Sequence, residues 1–552
     1  MISLVGRRWS IKLKQYDYII IGAGSAACVL AYRLSEDRTK RILVLEAGMP
    51  DTSWLLKLPL GVAKVWNHPR FNWSYHTEPQ PHAEGRRLYY PRGKVVGGSS
   101  SINMMAYVRG HRGDYERWRR NGHVGWSYAE VLPYFKRSET YENGPSPYRG
   151  SHGPMAVRKG QLQDPIYDAF LGAAGHIGYR LNEDYNGREQ EGFARFQFTV
   201  GKARRSSAAE AFLRPAMRRE NVDLYTYTHV TRILMEGARA AGVEFIRDGA
   251  LTTVRTDGEI ILAAGAINSP QLLMLSGIGP SEHLRRVGVF VRHHLPGVGS
   301  NLQDHCGVRV GFTSSVPTVF NYELRLDRLT RSVVTAYTRK RGFAADPPGG
   351  MTAFLKSDPG QEMPDLQLFC TSTTPLTREW FPGWRPPGPD GFGVRVCGLR
   401  PESRGSLQLA STDPKIAPRI FTNFLSTAND RKTLREAVRI IREIVASPPF
   451  KKIGPTETSR KTARTDEEID AFVRQTVDTL HHPSGTCRIG LDDMAVVDPE
   501  FRVHGIAKLR VVDASTMPDL IGGNINAVVI MIAERAADLI RNRPLLSTME
   551  EA

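Results

Sequence analysis

The stretch YIIIGAGSAA, residues 18–27, decides the fold of this chain. A run of apolar, mostly β-branched residues leads into a glycine-rich turn, and residues 26–34 then have the composition of a helix. A second apolar run, residues 42–45, ends in Glu46. This order of strand, turn, helix and strand predicts the first βαβ unit of a Rossmann-type nucleotide site.

Two glycines and one acid in this unit predict how a dinucleotide is held. Gly22 permits the tight turn, and Gly24 lets the backbone approach a pyrophosphate, with Ala27 at the third small position. The helix N-terminus offers free N–H groups to the phosphates. Glu46 follows at the distance where an acid binds ribose hydroxyls, which favours NAD or FAD over NADP. The alternative is a tight turn without a ligand.

Length and composition set further limits. At 552 residues the chain exceeds the usual size of one domain, so two or more domains are expected. No apolar run is long enough to cross a membrane. The net charge of +17 is compatible with weak attachment to an anionic membrane surface. Because the basic residues are scattered and no nucleic-acid-binding motif is present, no nucleic acid partner is expected.

The cysteines and the N-terminus bear on location. The five cysteines are widely spaced and form neither a CxxC motif nor a zinc pattern, so no metal site is expected. This usage indicates a reducing compartment, and we expect a cytoplasmic protein that can lie at the periphery of the inner membrane. Arg7, Arg8, Lys12 and Lys14 form a short basic extension without the apolar core of a signal peptide.

The second half of the chain has a different pattern. From residue 308 to about 475, clusters of Pro and Gly separate short segments of alternating hydrophobicity, which predicts a mainly antiparallel sheet. Apolar residues at helical spacing predict an amphipathic helix over residues 431–446. A strand that ends at Asp513 and an apolar helix over 527–540 then return to the first pattern. The predicted fold class is α/β, or α+β overall.

Six blocks in this order resemble the glucose–methanol–choline (GMC) family of FAD oxidoreductases, and within it the choline and alcohol dehydrogenase branch. The resemblance covers residues 16–541. The blocks are GAGSAA with Glu46, PRGKVVGGSSSIN (91–103), GAINSPQLLMLSGIG (265–279), LPGVGSNLQDH (295–305), HPSGTCRIG (482–490), and VVDASTMP (511–518) with GNINA (523–527).

The resemblance implies a Rossmann-like FAD-binding domain and a substrate domain built on the antiparallel sheet. Each domain is assembled from separate segments of the chain. We expect the FAD-binding domain to comprise residues 1–160, 201–310 and 479–552, and the substrate domain to comprise residues 161–200 and 311–478.

The resemblance also implies FAD in an extended conformation. Some relatives attach FAD covalently through a histidine in the second block, where this chain has Ile102, so we expect non-covalent FAD. The residues expected at the cofactor are Gly22, Gly24, Ser25, Ala26, Glu46, Ala47, Trp73, Arg92, Val96, Gly97, Ser99, Asn103, Met104, Met105, Ala106, Val230, Asp513, Ala514, Asn526 and Ala527.

Alcohol oxidation requires a base for the hydroxyl proton, and histidine is the commonest one. His482 matches the base of the family, and Pro483 restrains its backbone. Asn524 matches the second active-site position, where an amide can hydrogen-bond the substrate oxygen. The alternatives are a packed core histidine and a turn residue.

The implied reaction is oxidation of the CH–OH group of a small alcohol, with hydride passing to flavin N5. The electron acceptor, O₂ or a quinone-linked carrier, stays open. Other members of the family suggest four alternatives. They are a choline dehydrogenase or oxidase, a hydroxynitrile lyase, a fatty-acid photodecarboxylase, and a flavin-binding protein without catalysis.

Two positions predict an uncharged primary alcohol, aromatic or aliphatic, as the substrate. Choline-oxidising relatives carry an acid and a histidine where this chain has Thr313 and Phe369. Without them a quaternary ammonium lacks a partner charge, which is costly in a closed site. Glu323 or Asp365 could supply that charge from another direction.

Overall fold

The computed structural model describes residues 15–459 and 463–549, so Arg7, Arg8, Lys12 and Lys14 lie outside the described residues. The first layer is a five-stranded sheet in which all neighbours are parallel. The apolar strands Tyr18–Ile21 and Ile42–Leu45, which pair with each other inside this sheet, are buried. Burial of this kind is expected when helices cover both faces of a sheet. In spatial order the strands are Val222–Tyr225, Ile42–Leu45, Tyr18–Ile21, Glu259–Leu262 and Leu509–Val511.

Two helices pack together beside this sheet. Ser25–Leu34 follows the first strand, and Asn526–Ile540 near the end of the chain packs against it. Both helices are largely buried and contain several alanines, which permits close approach. Arg33 pairs with the buried Glu534 at 2.8 Å, so neither charge is left unpartnered in the contact. The predicted βαβ unit is confirmed.

The second layer is an antiparallel sheet of seven strands, which confirms the predicted architecture. Val308, Val310 and Val394 point from one face into an apolar core with the helix Ala428–Ala446. The residues between them point to the opposite side, because side chains alternate along a strand. In spatial order the strands are Thr456–Glu457, Cys306–Thr313, Gly391–Gly398, Leu366–Thr371, Met351–Leu355 and Gly192–Arg195, with Asp478–Thr479 also paired to Cys306–Thr313.

The helix predicted over 431–446 begins earlier, at Ala428. Thr427 caps it, since its hydroxyl accepts a hydrogen bond from the N–H of Asp430 at 3.2 Å. Among the described residues, the other helices of eight or more residues are Arg112–Arg120, Tyr128–Ser138, Pro165–Gly172, Gly265–Leu275, Leu326–Arg339 and Asp466–Thr476. A separate antiparallel sheet consists of Thr228–Glu236, Arg239–Arg247 and Ala250–Arg255.

Separate apolar cores accompany the two sheets. The strand Gly192–Arg195 lies in the antiparallel sheet, although it is far from the other strands in sequence. The strand Cys306–Thr313 crosses the expected boundary between residues 310 and 311, because its pairing with Gly391–Gly398 already starts at Gly307. The expected boundary after residue 478 likewise falls within the strand Asp478–Thr479. The division into domains stays a prediction.

Across residues 15–459 and 463–549, no helix combines the length and the apolar character needed to cross a bilayer.

Candidate active site

A cavity of about 980 Å³ lies between the two sheets. One wall contains the carboxyl ends of parallel strands, at Ile21 and Leu45. The other contains side chains of the antiparallel sheet, including Arg309 and Phe369. Open α/β sheets bind their ligands at the carboxyl ends of the strands, and this volume is within the range of ligand sites.

The glycine-rich turn is packed too closely to admit larger residues. Gly22 has a φ of +95°, which favours glycine. A Cβ on Gly98 would come within 2.8 Å of the Cα of Gly24, so the loop of the second block lies directly against the turn. The N–H of Gly97 donates to the carbonyl of Ala23 at 2.7 Å and holds the two segments together. The backbone is thereby exposed to a ligand at close range.

Two helix N-termini line the cavity. The helices that begin at Ser25 and Asn526 both start in its wall, and neither has a side-chain cap. Their first N–H groups therefore remain for an anionic ligand, and the helix dipoles favour negative charge there. Such an arrangement fits the pyrophosphate of a dinucleotide.

Glu46 is buried beside this turn. Its carboxylate accepts hydrogen bonds from the N–H groups of Ala23 and Gly48, at 2.8 and 2.7 Å. Burial raises the pKa of Glu46 to about 7, which these two hydrogen bonds oppose. Each carboxylate oxygen has a second lone pair, so Glu46 can also accept from a ribose hydroxyl.

The structure brings most of the residues expected at the cofactor together. Val96, Gly97 and Ala527 do not line the cavity: Gly97 donates to Ala23 of the turn, Val96 donates to the carbonyl of Met49, and Ala527 is buried within the last helix. Their contacts with FAD, like those of the others, stay a prediction. The expected residues that line the cavity are Gly22, Gly24, Ser25, Ala26, Glu46, Ala47, Trp73, Arg92, Ser99, Asn103, Met104, Met105, Ala106, Val230, Asp513, Ala514 and Asn526.

His482 and Asn524 meet in the same cavity. The Nδ2 atom of Asn524 lies 3.1 Å from Nε2 of His482. The Nε2 of Gln367 donates to the Oδ1 of Asn524 at 3.3 Å, which orients the amide with its NH₂ toward His482. One hydroxyl oxygen placed beside these two nitrogens, on the cavity side, would be within reach of both.

Hydrogen bonds define the tautomer of His482. His305 lies 2.9 Å from it, Nδ1 to Nδ1, and the Nε2 of His305 faces the carbonyl of Leu399 at 3.1 Å. A carbonyl only accepts, so the Nε2 of His305 carries the proton and its Nδ1 is an acceptor. His482 must then donate from Nδ1, which leaves an unprotonated Nε2 beside Asn524. This nitrogen is the one that can accept a substrate proton.

Burial keeps both imidazoles neutral. It is the main cause that lowers the pKa of His305 to about 4. The pKa of His482 lies well below its ordinary value, through burial first and then through His305, Arg92 and Arg395. His482 is therefore in its base form at neutral pH.

Asp304 positions the backbone of His482. One carboxylate oxygen accepts the N–H of His482 at 2.6 Å, and the other accepts the hydroxyls of Tyr90 and Thr479, at 2.6 and 2.5 Å. Burial raises the pKa of Asp304 to about 6, while these hydrogen bonds and Arg92 lower it. Arg92 also donates to the carbonyl of His481 at 2.7 Å. Hydrogen bonds to Asp304 and Arg92 therefore hold the backbone at His482 and at the residue before it.

The substrate side of the cavity differs in part from the sequence-based expectation. Phe369 lines the cavity, but Thr313 does not, and its hydroxyl faces the carbonyl of Thr456 at 3.4 Å. The expectation that Thr313 stands in the substrate pocket is therefore wrong. Glu323 and Asp365 do not line it either, and Asp365 is occupied by Ser357 at 2.5 Å.

Three residues at this site had no role that the sequence alone predicted. His305 ends the fourth block, and its contact with His482 could not be read from the spacing. Arg309 and Arg395 line the cavity. Each arginine stands between two apolar residues of its strand. A single charged residue in such a strand was the signal in the sequence that could have indicated a functional position.

Fold and site together define the class of dinucleotide-binding oxidoreductases. Sequence profiles of the GMC oxidoreductase family match residues 16–307 and 401–533. The chain belongs to this family, and it is an FAD-dependent oxidoreductase acting on CH–OH donors.

Named relatives agree with this assignment. The chain is 44% identical over 547 residues to the mitochondrial choline dehydrogenase of Homo sapiens, covering 96% of this chain and 91% of the relative. It is 42% identical to the oxygen-dependent choline dehydrogenase of Sinorhizobium medicae, covering 97% and 98%. The crystal structure of pyridoxine 4-oxidase from Mesorbium loti superposes with a TM-score of 0.84 at 29% identity, covering 96% and 100%.

Proposed function

We propose that this enzyme oxidises a small alcohol by a reaction in which Nε2 of His482 accepts the hydroxyl proton. The supporting observation is the chain of hydrogen bonds from Leu399 through His305, which leaves that nitrogen unprotonated. The NH₂ group of Asn524 faces Nε2 of His482 with one N–H, has a second N–H for the substrate oxygen, and cannot compete as a base. FAD, when bound, supplies the hydride acceptor.

We propose that FAD is held without a covalent bond. The second block carries Ile102, a residue without a nucleophile, in the wall of the cavity. Acid precipitation should release the yellow colour into the supernatant. Flavin that stays with the pellet would contradict non-covalent binding.

The substrate is proposed to be an alcohol without a positive charge, aromatic or medium-chain aliphatic. The acids in the cavity wall are Glu46, Asp513 and Glu379, and Glu379 is paired with Lys64 at 2.6 Å. None stands on the antiparallel sheet, so a quaternary ammonium has no partner there among the described residues. The second candidate is choline, which the relatives named choline dehydrogenase favour.

Steady-state kinetics with choline and its uncharged isostere 3,3-dimethylbutan-1-ol separate the two candidates. We expect the isostere to have the higher kcat/KM. A tenfold or greater preference for choline, about 1.4 kcal/mol of transition-state stabilisation, would refute the proposal.

Anaerobic bleaching of the flavin in the dark tests the reaction class. A panel of alcohols should bleach it if the enzyme is an alcohol oxidoreductase. Cyanide release from a cyanohydrin without bleaching would indicate a lyase, light-dependent loss of CO₂ from a fatty acid a photodecarboxylase, and no reaction a binding protein. Repeating the panel with air and with a quinone distinguishes O₂ from a quinone-linked acceptor.

We also propose weak association with an anionic membrane surface, as for a cytoplasmic protein that lies at the periphery of the inner membrane. Support comes from exposed apolar side chains that lie near the cavity. The helix Leu326–Arg339 connects the two, because its residues Leu329 and Val333 line the cavity. Arginines are interspersed with them. Co-sedimentation with vesicles should require anionic lipid and weaken with salt. The exposed apolar residues are Tyr322, Leu326, Val334, Leu376, Phe381 and Trp384.

A further inference from the structure

Two arginines stand opposite each other on the cavity face of the antiparallel sheet. Arg309 of the strand Cys306–Thr313 and Arg395 of the strand Gly391–Gly398 are direct partners in the register, and both line the cavity. Like charges directly opposite each other destabilise an antiparallel pair. The arrangement is therefore unfavourable unless negative charge is brought to it.

Arg309 has no carboxylate within ion-pair distance in the part of the chain that the structure describes, and the like charge of Arg395 acts on it. It donates to the carbonyl of Thr373, which occupies one of its five N–H donors. Its guanidinium lies against Gly393, where an added Cβ would come within 2.0 Å of Nε. The missing side chain at this position leaves room for the guanidinium, and the remaining donors have no partner among the described residues.

Arg395 is only weakly compensated. Its guanidinium donates to the carbonyl of Thr479 at 2.8 Å and lies 3.7 Å from Asp478, a carboxylate whose side chain is 50% exposed. In the register, its neighbour on the other side is Phe369, so an aromatic ring stands next to the two guanidinium groups. The wall thus offers two guanidinium groups beside an aromatic face.

We propose that Arg309 and Arg395 form an anion subsite that binds a carboxylate of the substrate. This inference rests on the proposed oxidation of an alcohol and changes its substrate: the preferred alcohol carries a carboxylate, in place of the uncharged alcohol that the sequence predicts. A guanidinium matches the planar carboxylate with two parallel N–H donors, which makes arginine the suited residue. The hydroxyl of the same molecule would lie at His482, in the same cavity.

Equilibrium binding tests the subsite without turnover. Isothermal titration calorimetry compares benzoate with benzamide on the FAD-loaded enzyme. We expect benzoate to bind about ten- to hundredfold more tightly, the usual effect of hydrogen bonds to a charged group, and less so at high salt. Arg309→Gln and Arg395→Gln should each reduce the difference, whereas the exposed Arg419→Gln on the strand Arg419–Phe421 should not. Equal binding of both ligands to the unaltered enzyme would overturn the proposal.

Kinetics then test the substrate class. The kcat/KM for 4-(hydroxymethyl)benzoate should exceed that for 4-(hydroxymethyl)benzamide by about ten- to hundredfold. Arg309→Gln should bring the two substrates within about threefold, and Arg309→Lys, which keeps the charge, should retain part of the preference. A preference unchanged in Arg309→Gln, with flavin content intact, would contradict the assignment. If neither alcohol bleaches the flavin, the proposed function fails, while benzoate binding still decides the subsite.

Discussion

His305 is predicted to control the rate of flavin reduction through its hydrogen bond to Nδ1 of His482. Replacing it with leucine removes the acceptor that lies 2.9 Å from Nδ1 of His482 and the donor to the carbonyl of Leu399. His482 then has no partner for a proton on Nδ1. The tautomer with the proton on Nε2, which cannot accept from the substrate, becomes more populated.

The size of the effect follows from the lost hydrogen bond. Leaving a buried donor without a partner costs about 1–3 kcal/mol, which corresponds to a change of about 5- to 150-fold in the tautomer ratio. Asn524 still donates to Nε2 and opposes the unproductive tautomer, so the lower part of this range applies. We expect the rate of flavin reduction to fall about 5- to 30-fold.

The assay is anaerobic stopped-flow reduction of the flavin by an uncharged alcohol. His305→Leu should lower the limiting rate and leave the apparent Kd of the substrate nearly unchanged, since His305 does not line the cavity. His305→Asn is the informative variant, because its amide oxygen can accept from Nδ1 and should restore most of the rate. His504→Gln is a matched control, a histidine that bonds the carbonyl of Gly490 outside the cavity.

Two outcomes would refute this reasoning. The first is a His305→Leu enzyme that reduces its flavin within about twofold of the unaltered rate, well below the loss expected for an unpaired buried donor. The second is an equal loss in His305→Leu and His305→Asn, which would indicate a structural role only. Flavin content and Tm, measured on each variant, separate loss of fold from loss of rate.

Three further predictions concern the base, its pKa and the cofactor turn. His482→Ala should keep bound flavin but reduce the rate of flavin reduction by about 10²–10⁴-fold, the range for a general base; rapid bleaching would remove His482 from that role. The pKa of His482 lies below 6.5, so log kcat/KM against pH should stay level as the pH falls through 6.5 and decline only at lower pH. A decline centred at 6.5 or above would contradict this. Gly98→Ala should lower the ratio of absorbance at 450 to 280 nm, because its Cβ would lie 2.8 Å from the Cα of Gly24 and its φ is +55°; normal flavin content would show that the turn can shift.

The sequence by itself determined the local elements. The run before Gly22, the turn and the helix after it are each specified by residues within about 25 positions, because turn geometry, alternation and helical periodicity act over short range. Thr427 ahead of the helix Ala428–Ala446 is a signal of the same kind. The motif blocks likewise indicated the family, FAD and the pair His482 and Asn524.

Only the tertiary structure decided which side chains act together. His305 and His482 are 177 residues apart, and their contact leaves Nε2 of His482 as the nitrogen that we propose to accept the proton. Arg309 faces Arg395 because of the register between two strands, and Thr313, at the end of the same strand as Arg309, lies outside the cavity. Register and strand order depend on long-range packing, so a count of residues along the chain cannot supply them.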